Sequence, residues 1–137
     1  MPKYDPSARG AFLGLTMEHT RGHAVRAILE AVACMLKELL DYMKTDCVEV
    51  RSMGGGASSP LWCQIKADMT GKRLITLKNK ESACLGSAIL AGVGIGVFES
   101  VEKAAAKIAT DRVFEPQAID YTECYERYLS YDQILNL

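Results

Sequence analysis

The pattern of apolar and polar positions along the chain predicts several helices and a few short strands. The clearest repeat runs from about residue 20 to residue 44, where apolar side chains recur at helical spacing. These side chains are Val25, Ile28, Leu29, Val32, Met35, Leu36, Leu39, Leu40 and Met43. We expect one long amphipathic helix there, whose apolar face covers a sheet.

Two strands and a helix are predicted next. Alternation of apolar and charged residues predicts a strand over residues 47–53, and apolar residues at helical spacing predict a helix from about 59 to 70. Gly71 stands where a helix commonly ends, and residues 73–77 have the pattern of a second strand. This order implies two parallel strands joined by a crossover helix.

The remaining chain is predicted to be mostly helical. A helix capped by Ser82 runs to about Ala91, and its many small residues lead us to expect tight packing behind the glycines that follow the first strand. Ser100 caps a short helix over about residues 101–109, and residues 112–116 form an extended link. At the other end, residues 1–15 are expected to be extended, with a short strand at their end.

A last helix follows Asp120, which we expect to cap it. One face of this helix carries Tyr121, Tyr125, Tyr128, Leu129 and Leu135. We interpret this face as a surface that docks on the rest of the fold. Two or three strands are few for so many helices, because α/β sheets normally have five or more. The fold class is therefore α/β, a short parallel sheet flanked by helices, and the chain is expected to be part of a larger domain.

Composition narrows the functional classes. The 137 residues are 49% hydrophobic and 24% charged, which is typical of a soluble globular protein, and the net charge of −1 argues against nucleic acid as a partner. Five cysteines without CxxC spacing indicate free thiols in a reducing compartment. The N-terminus has no apolar segment typical of a signal peptide, and the longest apolar run, residues 83–98, is too short for a membrane span. We expect a cytoplasmic protein with no membrane partner.

The stretch with a chemical signature is the glycine-rich loop between the first strand and the following helix. Three glycines, Gly54 to Gly56, allow positive φ angles and leave no Cβ between the backbone and a ligand. Ser58 and Ser59 are good N-cap residues and Pro60 suits the first helical turn, so free N–H groups should point towards the glycines. Such an end attracts anions and polar ligands.

The loop also has to be tested as a dinucleotide-binding fingerprint. Gly54, Gly56 and Ser59 nearly fit G-x-G-x-x-G, but the third glycine is absent. The acidic residue that should follow the second strand is missing as well, because Lys78 stands after Leu77. An NAD(P)-binding module is therefore the weaker alternative.

Other catalytic constellations are weak. His19 and His23 have the spacing of two ligands on one helix face, but no third ligand is obvious, and we interpret them as solvent-facing. No paired carboxylates or catalytic triad can be assembled, and Asp68 and Glu81 are expected to be solvated or at helix ends. The chain thus offers a binding element without a general base.

Several motifs in order carry a family resemblance. They are Asp5-Pro-Ser-Ala-Arg-Gly-Ala-Phe-Leu-Gly-Leu15, His19-Thr-Arg-Gly-His23 with residues 26–30, Gly54-Gly-Gly-Ala-Ser-Ser59 with Trp62 and Ala67-Asp68, and Leu85-Gly-Ser-Ala-Ile-Leu-Ala91. With these motifs, which span nearly the whole chain, the sequence resembles the C-terminal domain of the FGGY carbohydrate kinases, and within that family most resembles the xylulose kinases.

The resemblance implies a fold and a role. The fold would be a partial actin-like ATPase (ribonuclease H-like) domain, with residues 1–137 forming the incomplete C-terminal nucleotide-binding domain of a sugar kinase. By the family pattern, the loop would form the adenosine motif: Gly54, Gly55, Gly56 and Ala57 would lie against ATP or ADP, and Ser59 could reach the adenine or ribose. The parent enzyme would transfer the γ-phosphoryl group of ATP, with Mg, to a sugar hydroxyl.

The resemblance also implies what the chain lacks. Members of the family are several times longer, and their sugar-binding domain, catalytic aspartate, Mg-phosphate residues and first strands of this domain all precede the matched residues. We therefore expect the chain to be inactive alone and to meet the sugar only through that missing domain. The remaining alternative is a non-enzymatic interaction domain that uses the long helix or the tyrosine face, and a homodimer through normally buried surfaces is compatible with either reading.

Overall fold

The computed structural model describes residues 9–44, 46–79 and 81–135, and the elements below are those of this part of the chain. In chain order they are α1 (Arg21–Met43), β1 (Glu49–Ser52), α2 (Pro60–Thr70), β2 (Arg73–Leu77), α3 (Ser82–Gly94), α4 (Val101–Ala105), β3 (Thr110–Phe114) and α5 (Thr122–Leu135). A single 3₁₀ turn, Gly55–Ser58, lies between β1 and α2. The predicted long helix, both predicted strands and the crossover helix are confirmed.

The three strands form one mixed sheet in the order β1-β2-β3. β1 and β2 are parallel and pair from Glu49 with Arg73 to Ser52 with Thr76, as the crossover helix α2 requires. β3 runs antiparallel to β2, with Leu74 opposite Phe114 and an irregularity at Thr76 and Leu77. In the described part of the chain, the other edge of β1 has no strand beside it.

The helix α2 lies between α1 and the sheet. On one side of α2, Ile65 and Met69 form a buried core with Ala33 and Cys34 of α1. The other side of α2 carries Cys63 and Ala67, which pack with Leu74 of β2 and against Phe114 of β3. The element that holds the glycine loop in place is thus buried on both sides.

The tyrosine face of α5 docks on α1, as predicted. Tyr121 accepts a hydrogen bond from the Arg26 guanidinium at 2.6 Å, Tyr125 donates to Asp41 at 3.1 Å and Tyr128 donates to Glu38 at 2.9 Å. The rings pack against the α1–α2 core, while Leu129 stays exposed and the side chain of residue 135 lies outside the described part. Asp120 accepts the backbone N–H of Thr122, but the first carbonyl of the helix is that of Tyr121, which accepts from Tyr125, so the predicted cap lies one residue before the N-cap position.

Residues 110–114 are a strand and not the extended link that was predicted. The sequence signal is weak because only Phe114 of β3 is partly buried, so no alternation appears. The strand forms because the backbone N–H and C=O groups at the free edge of β2 need hydrogen-bond partners. The preceding helix is accordingly shorter than predicted and ends at Ala105, although Ser100 caps it by accepting from the backbone N–H of Lys103.

Three further expectations are wrong. No strand forms over residues 9–15, where Phe12, Leu13 and Leu15 are about half exposed; residues 1–8 lie outside the described part. The helix α3 packs mainly against α4 and not behind the glycine loop, and many of its small residues are exposed. Its N-cap is Glu81, whose backbone N–H bonds the Asn79 side chain, and not Ser82.

The apolar face of α1 is only partly covered, because it contacts α2 and α5 where we expected a sheet. Val25, Ile28, Val32, Met35 and Leu39 remain 37–56% exposed. Between this side of α1 and β1 runs an open groove of about 360 Å³, lined among others by Val32, Met35, Leu39, Val50 and Met53. In the described residues, no helix is both long and apolar enough to span a membrane.

Candidate functional site

The glycine-rich loop joins the carboxyl end of β1 to the N-terminus of α2. Gly54 has φ +75° and ψ −167°, a conformation that side chains with a Cβ rarely adopt. The chain then closes one 3₁₀ turn, in which the N–H of Ala57 donates to the carbonyl of Gly54 at 3.1 Å. Gly54 therefore sets the direction in which the loop leaves the strand.

The other two glycines face different surroundings. A Cβ on Gly55 would meet no atom within 4 Å, so the residue faces open space. A Cβ on Gly56 would lie 3.0 Å from the Trp62 ring and 3.6 Å from the Lys66 ammonium, so the residue is required for packing. Of these two, only Gly55 presents a bare backbone to a ligand from solvent.

Ser59 starts α2 in the way the sequence predicts. Its Oγ accepts the backbone N–H of Trp62 at 3.3 Å, and Pro60 occupies the first helical turn. Because the Oγ acts here as an acceptor, the hydroxyl proton remains able to donate to a ligand. The first turn of α2 holds no acidic residue, so the partial positive charge of the helix N-terminus is not neutralised there.

Trp62 anchors the inner side of the loop, a role that sequence reasoning missed. Its indole N–H donates to the carbonyl of Leu29 on α1 at 3.1 Å, and the Lys66 ammonium lies 4.1 Å from its ring centroid. Burial lowers the pKa of Lys66, while the neighbouring Cys63 has the opposite, smaller effect. The nearness of Trp62 to the loop in sequence was the only available signal.

Cys63 of α2 contacts the backbone of the glycine-rich loop. Its thiol lies 3.6 Å from the carbonyl oxygen of Ala57 and 3.9 Å from that of Gly56, within reach of weak S–H donation. Burial raises the pKa of this thiol, and Lys66 and Arg112 partly offset the shift. The thiol is therefore protonated and structural near neutral pH.

Asp68 lies in the last turn of α2, one of its two expected placements, but its side chain is buried and not solvated. Its Oδ1 accepts from the Gln64 side-chain amide at 2.8 Å and from the backbone N–H of Gln117 at 2.7 Å, so it holds the β3–α5 connection against α2. Glu81 is exposed at the start of α3, as expected. Neither carboxylate reaches the glycine loop as a general base.

The two histidines are exposed at the start of α1, as interpreted from the sequence. The Nδ1 atoms of His19 and His23 accept the backbone N–H groups of Thr16 and Thr20 at 3.0 and 3.1 Å. Their rings meet edge to face with centroids 5.4 Å apart. Within the described residues, no cluster of three or more histidine, cysteine or acidic side chains could hold a metal ion.

Comparison with known proteins assigns the chain to a family. The model of the C-terminal domain of the FGGY family of carbohydrate kinases matches residues 1–95. This chain belongs to the FGGY family of carbohydrate kinases. The match begins before α1 and runs through the glycine loop, α2 and β2 to the end of α3. It gives no support to the dinucleotide-binding alternative.

Individual relatives are glycerol and xylulose kinases. Glycerol kinase of Shewanella pealeana is 38% identical over 120 residues, and xylulose kinase of Staphylococcus epidermidis is 35% identical over 133. These matches cover 85% and 94% of this chain but 24% and 27% of the relatives. The structure of glycerol kinase from Plasmodium falciparum with ADP superposes on this chain with a TM-score of 0.72 and 26% sequence identity. The superposition covers 93% of this chain and 26% of the Plasmodium chain. The chain thus spans about a quarter of the length of these kinases, and the partial actin-like fold is confirmed.

Proposed function

We propose that this FGGY chain is the nucleotide-binding part of an ATP-dependent sugar kinase, and that xylulose is the sugar. The observation that carries the proposal is the open backbone at Gly55, next to the N-terminus of α2, whose first turn holds no acidic residue to offset its partial positive charge. A flat nucleoside can approach such a surface to van der Waals distance because no side chain stands in the way. The Plasmodium relative, whose structure contains ADP, is consistent with a nucleotide as ligand.

Each loop residue has a separate role in this proposal. Gly54 turns the chain, Gly55 and Ala57 form the wall against the nucleoside, and Gly56 lets the wall lie flat on Trp62. The hydroxyl of Ser59 donates to the adenine or ribose while its oxygen keeps the cap of α2. The loop carries no titratable side chain, so it binds and orients the nucleotide and moves no proton.

The rest of the kinase lies outside the described residues in this proposal. The sugar-binding domain, the general base and the groups that hold Mg with the phosphates would come from the three quarters of the relatives that the chain does not match. Within the described ranges, the unpaired edge of β1 and the exposed apolar side of α1 support this, because a finished α/β domain normally covers both. Phosphoryl transfer depends mainly on positioning and charge neutralisation, so the chain alone is expected to be inactive.

The proposal on the sugar rests on similarity alone. Staphylococcus epidermidis xylulose kinase matches 94% of this chain, more than the 85% matched by the Shewanella glycerol kinase, although the glycerol kinase is slightly more identical. The described residues contain no candidate sugar contact. Activity assays with both substrates are therefore part of the test.

A chimera tests the proposal directly. The chain replaces the aligned segment of Staphylococcus epidermidis xylulose kinase, and phosphorylation of xylulose and glycerol is measured against ATP concentration. We expect an active xylulose kinase in which Gly55→Leu raises the KM for ATP at least about tenfold without changing the KM for the sugar. The matched control is Gly86→Leu on α3, since a Cβ on Gly86 would also meet no atom within 4 Å.

Three outcomes would each contradict part of the proposal. A folded chimera that binds no ATP would contradict the nucleotide role of the chain. An unchanged KM for ATP in Gly55→Leu would contradict the assignment of the loop as the nucleoside site, but it would not affect the assignment of the chain to the FGGY family. Sugar phosphorylation by the isolated chain would contradict the proposal that the catalytic groups lie elsewhere.

A further inference from the structure

Lys66 of α2 brings a charge to the inner side of the glycine-rich loop. It lies one helical turn after Trp62, and its Nζ is 4.1 Å from the centroid of the Trp62 ring and 3.6 Å from the position of a Cβ added to Gly56. The side chain is half-buried and also lines the groove between α1 and β1. Within the described ranges, Lys66 makes no ion pair, so the ring face is the close partner of its charge.

We propose that Lys66 is a positioning residue for the nucleotide, because its ammonium holds the Trp62 ring on which the glycine-rich loop rests. This role rests on the proposed function, which places the nucleoside against that loop. Lys66 acts through Trp62 and not on the nucleotide itself, since its ammonium lies on the Trp62 side of Gly56 whereas the open backbone is that of Gly55.

The Trp62 ring is the firmest surface beneath the loop. Two other contacts are weak: the Ser59 N–H lies 3.4 Å from the Gly56 carbonyl oxygen, and the Cys63 thiol approaches loop carbonyl oxygens at 3.6 and 3.9 Å. Two carbon atoms of the Trp62 ring, by contrast, would lie 3.0 and 3.3 Å from a Cβ on Gly56, so the bare backbone packs directly on the ring. The position of the ring therefore determines where the loop backbone lies.

The ring is held at one edge and over one face. Its indole N–H donates to the carbonyl of Leu29 on α1 at 3.1 Å, which fixes the edge, and the Lys66 ammonium lies over the face. A single hydrogen bond lets an indole tilt about it, and a cation attracted by the ring quadrupole opposes that tilt. Burial, which lowers the pKa of Lys66, also removes water that would weaken this attraction.

Hydrogen exchange of the Trp62 indole N–H tests the hold on the ring in the chain itself, without nucleotide. Trp62 is the single tryptophan, so NMR follows one indole signal. Lys66→Met keeps the apolar stem but removes the charge, and we expect the proton to exchange about threefold faster, the size of one cation–π contact. Lys66→Arg keeps a cation that stacks on the ring and should match the wild type.

The matched control for the charge is Lys107→Met. It removes the same charge at an exposed position after α4, and the indole exchange rate should not change. Circular dichroism checks that each variant is folded, and Lys66→Gln removes the charge in place of Lys66→Met if the methionine variant does not fold. An indole proton whose exchange is unaffected by loss of the Lys66 charge overturns the proposal without any assay of the nucleotide site.

The same substitutions in the xylulose kinase chimera test the link to the nucleotide. Lys66→Met should raise the KM for ATP about threefold and leave kcat and the KM for the sugar unchanged, and Lys66→Arg should restore the KM for ATP. If Gly55→Leu raises the KM for ATP but Lys66→Met does not, or if Lys66→Arg is as impaired as Lys66→Met, the positioning role is wrong and the proposed function stands. If Gly55→Leu also leaves the KM for ATP unchanged, the loop assignment is wrong and the positioning role with it.

Discussion

At the glycine loop, neighbouring glycines are needed for different physical reasons, and single substitutions separate them. Gly56→Val would drive a side chain into Trp62, because its Cβ alone would lie 3.0 Å from the ring. We expect a loss of stability of about 1–3 kcal/mol from this overpacking. A Cβ on Gly55 would meet no atom within 4 Å, so Gly55→Val should leave stability nearly unchanged. Urea unfolding followed by the fluorescence of Trp62, the single tryptophan, measures both; equal losses would contradict the described loop.

The buried carboxylate of Asp68 makes a second prediction at this scale. Asp68→Ala removes the acceptor of the Gln117 N–H and of the Gln64 amide, and the backbone donor is left without its partner. The expected cost is about 1–3 kcal/mol in the free energy of unfolding. Asp46→Ala, at an exposed position before β1, is the matched control and should cost little. If both variants unfold at the same urea concentration, Asp68 does not hold the β3–α5 connection.

Single residues also show where sequence reasoning stops. The roles of Gly71 and Ser59 at the ends of α2 could be predicted because a cap depends on its own few neighbours. The burial of Asp68 could not be predicted, because its partner Gln117 is 49 positions away and neither residue type indicates that the two are in contact. The anchor from Trp62 to the carbonyl of Leu29 spans 33 positions and was missed for the same reason.

Among the elements, the docking of α5 on α1 gives a prediction about pH. Burial, together with the hydrogen bond to Asp41, raises the pKa of Tyr125 to about 12, above the ordinary value of 10. A raised pKa means that the fold favours the protonated phenol, so this contribution is complete below pH 10 and is lost as the pH rises towards 12. Tyr125→Phe should therefore lose less stability than the wild type between about pH 9.5 and pH 11.5.

Urea midpoints at several pH values across that range measure the difference. Tyr42→Phe, at a position of α1 that is 63% exposed, is the control and should follow the wild type. If Tyr125→Phe and the wild type lose stability in parallel, the Tyr125 hydroxyl is not held as described. The α5 docking itself was predictable from the tyrosine spacing, since three side chains on one helical face need a partner.

The strand β3, unlike the docking of α5, could not be predicted from the sequence. Its residues are nearly all exposed, so the two-residue alternation that identifies a half-buried strand is absent. It forms because β2 offers a free edge, and such long-range pairing leaves no local trace in the sequence. The elements that could be predicted are the five helices and the strands β1 and β2, in which apolar positions recur with a period or local capping residues mark an end.

For the molecule as a whole, the exposed apolar side of α1 predicts self-association of the isolated chain. Val25, Ile28, Val32, Met35 and Leu39 continue into the groove beside β1, and such a surface tends to pair with a second copy when its usual cover is missing. The edge of β1 that has no strand beside it in the described part adds backbone groups that can pair in the same way. We expect the chain to be dimeric or larger at micromolar concentrations.

Placing a charge on this surface should reverse the association. Met35→Glu puts a carboxylate at the centre of the apolar stripe, where pairing would bury it at a high cost in desolvation. Met17→Glu is the control, because Met17 is fully exposed before α1 and lies outside the groove. Light scattering coupled to size-exclusion chromatography, with circular dichroism as the check on folding, should show a monomer for Met35→Glu and an assembly for Met17→Glu. A wild-type chain that stays monomeric at every concentration would show that this apolar surface does not recruit a second copy, and would weaken the interaction-domain alternative.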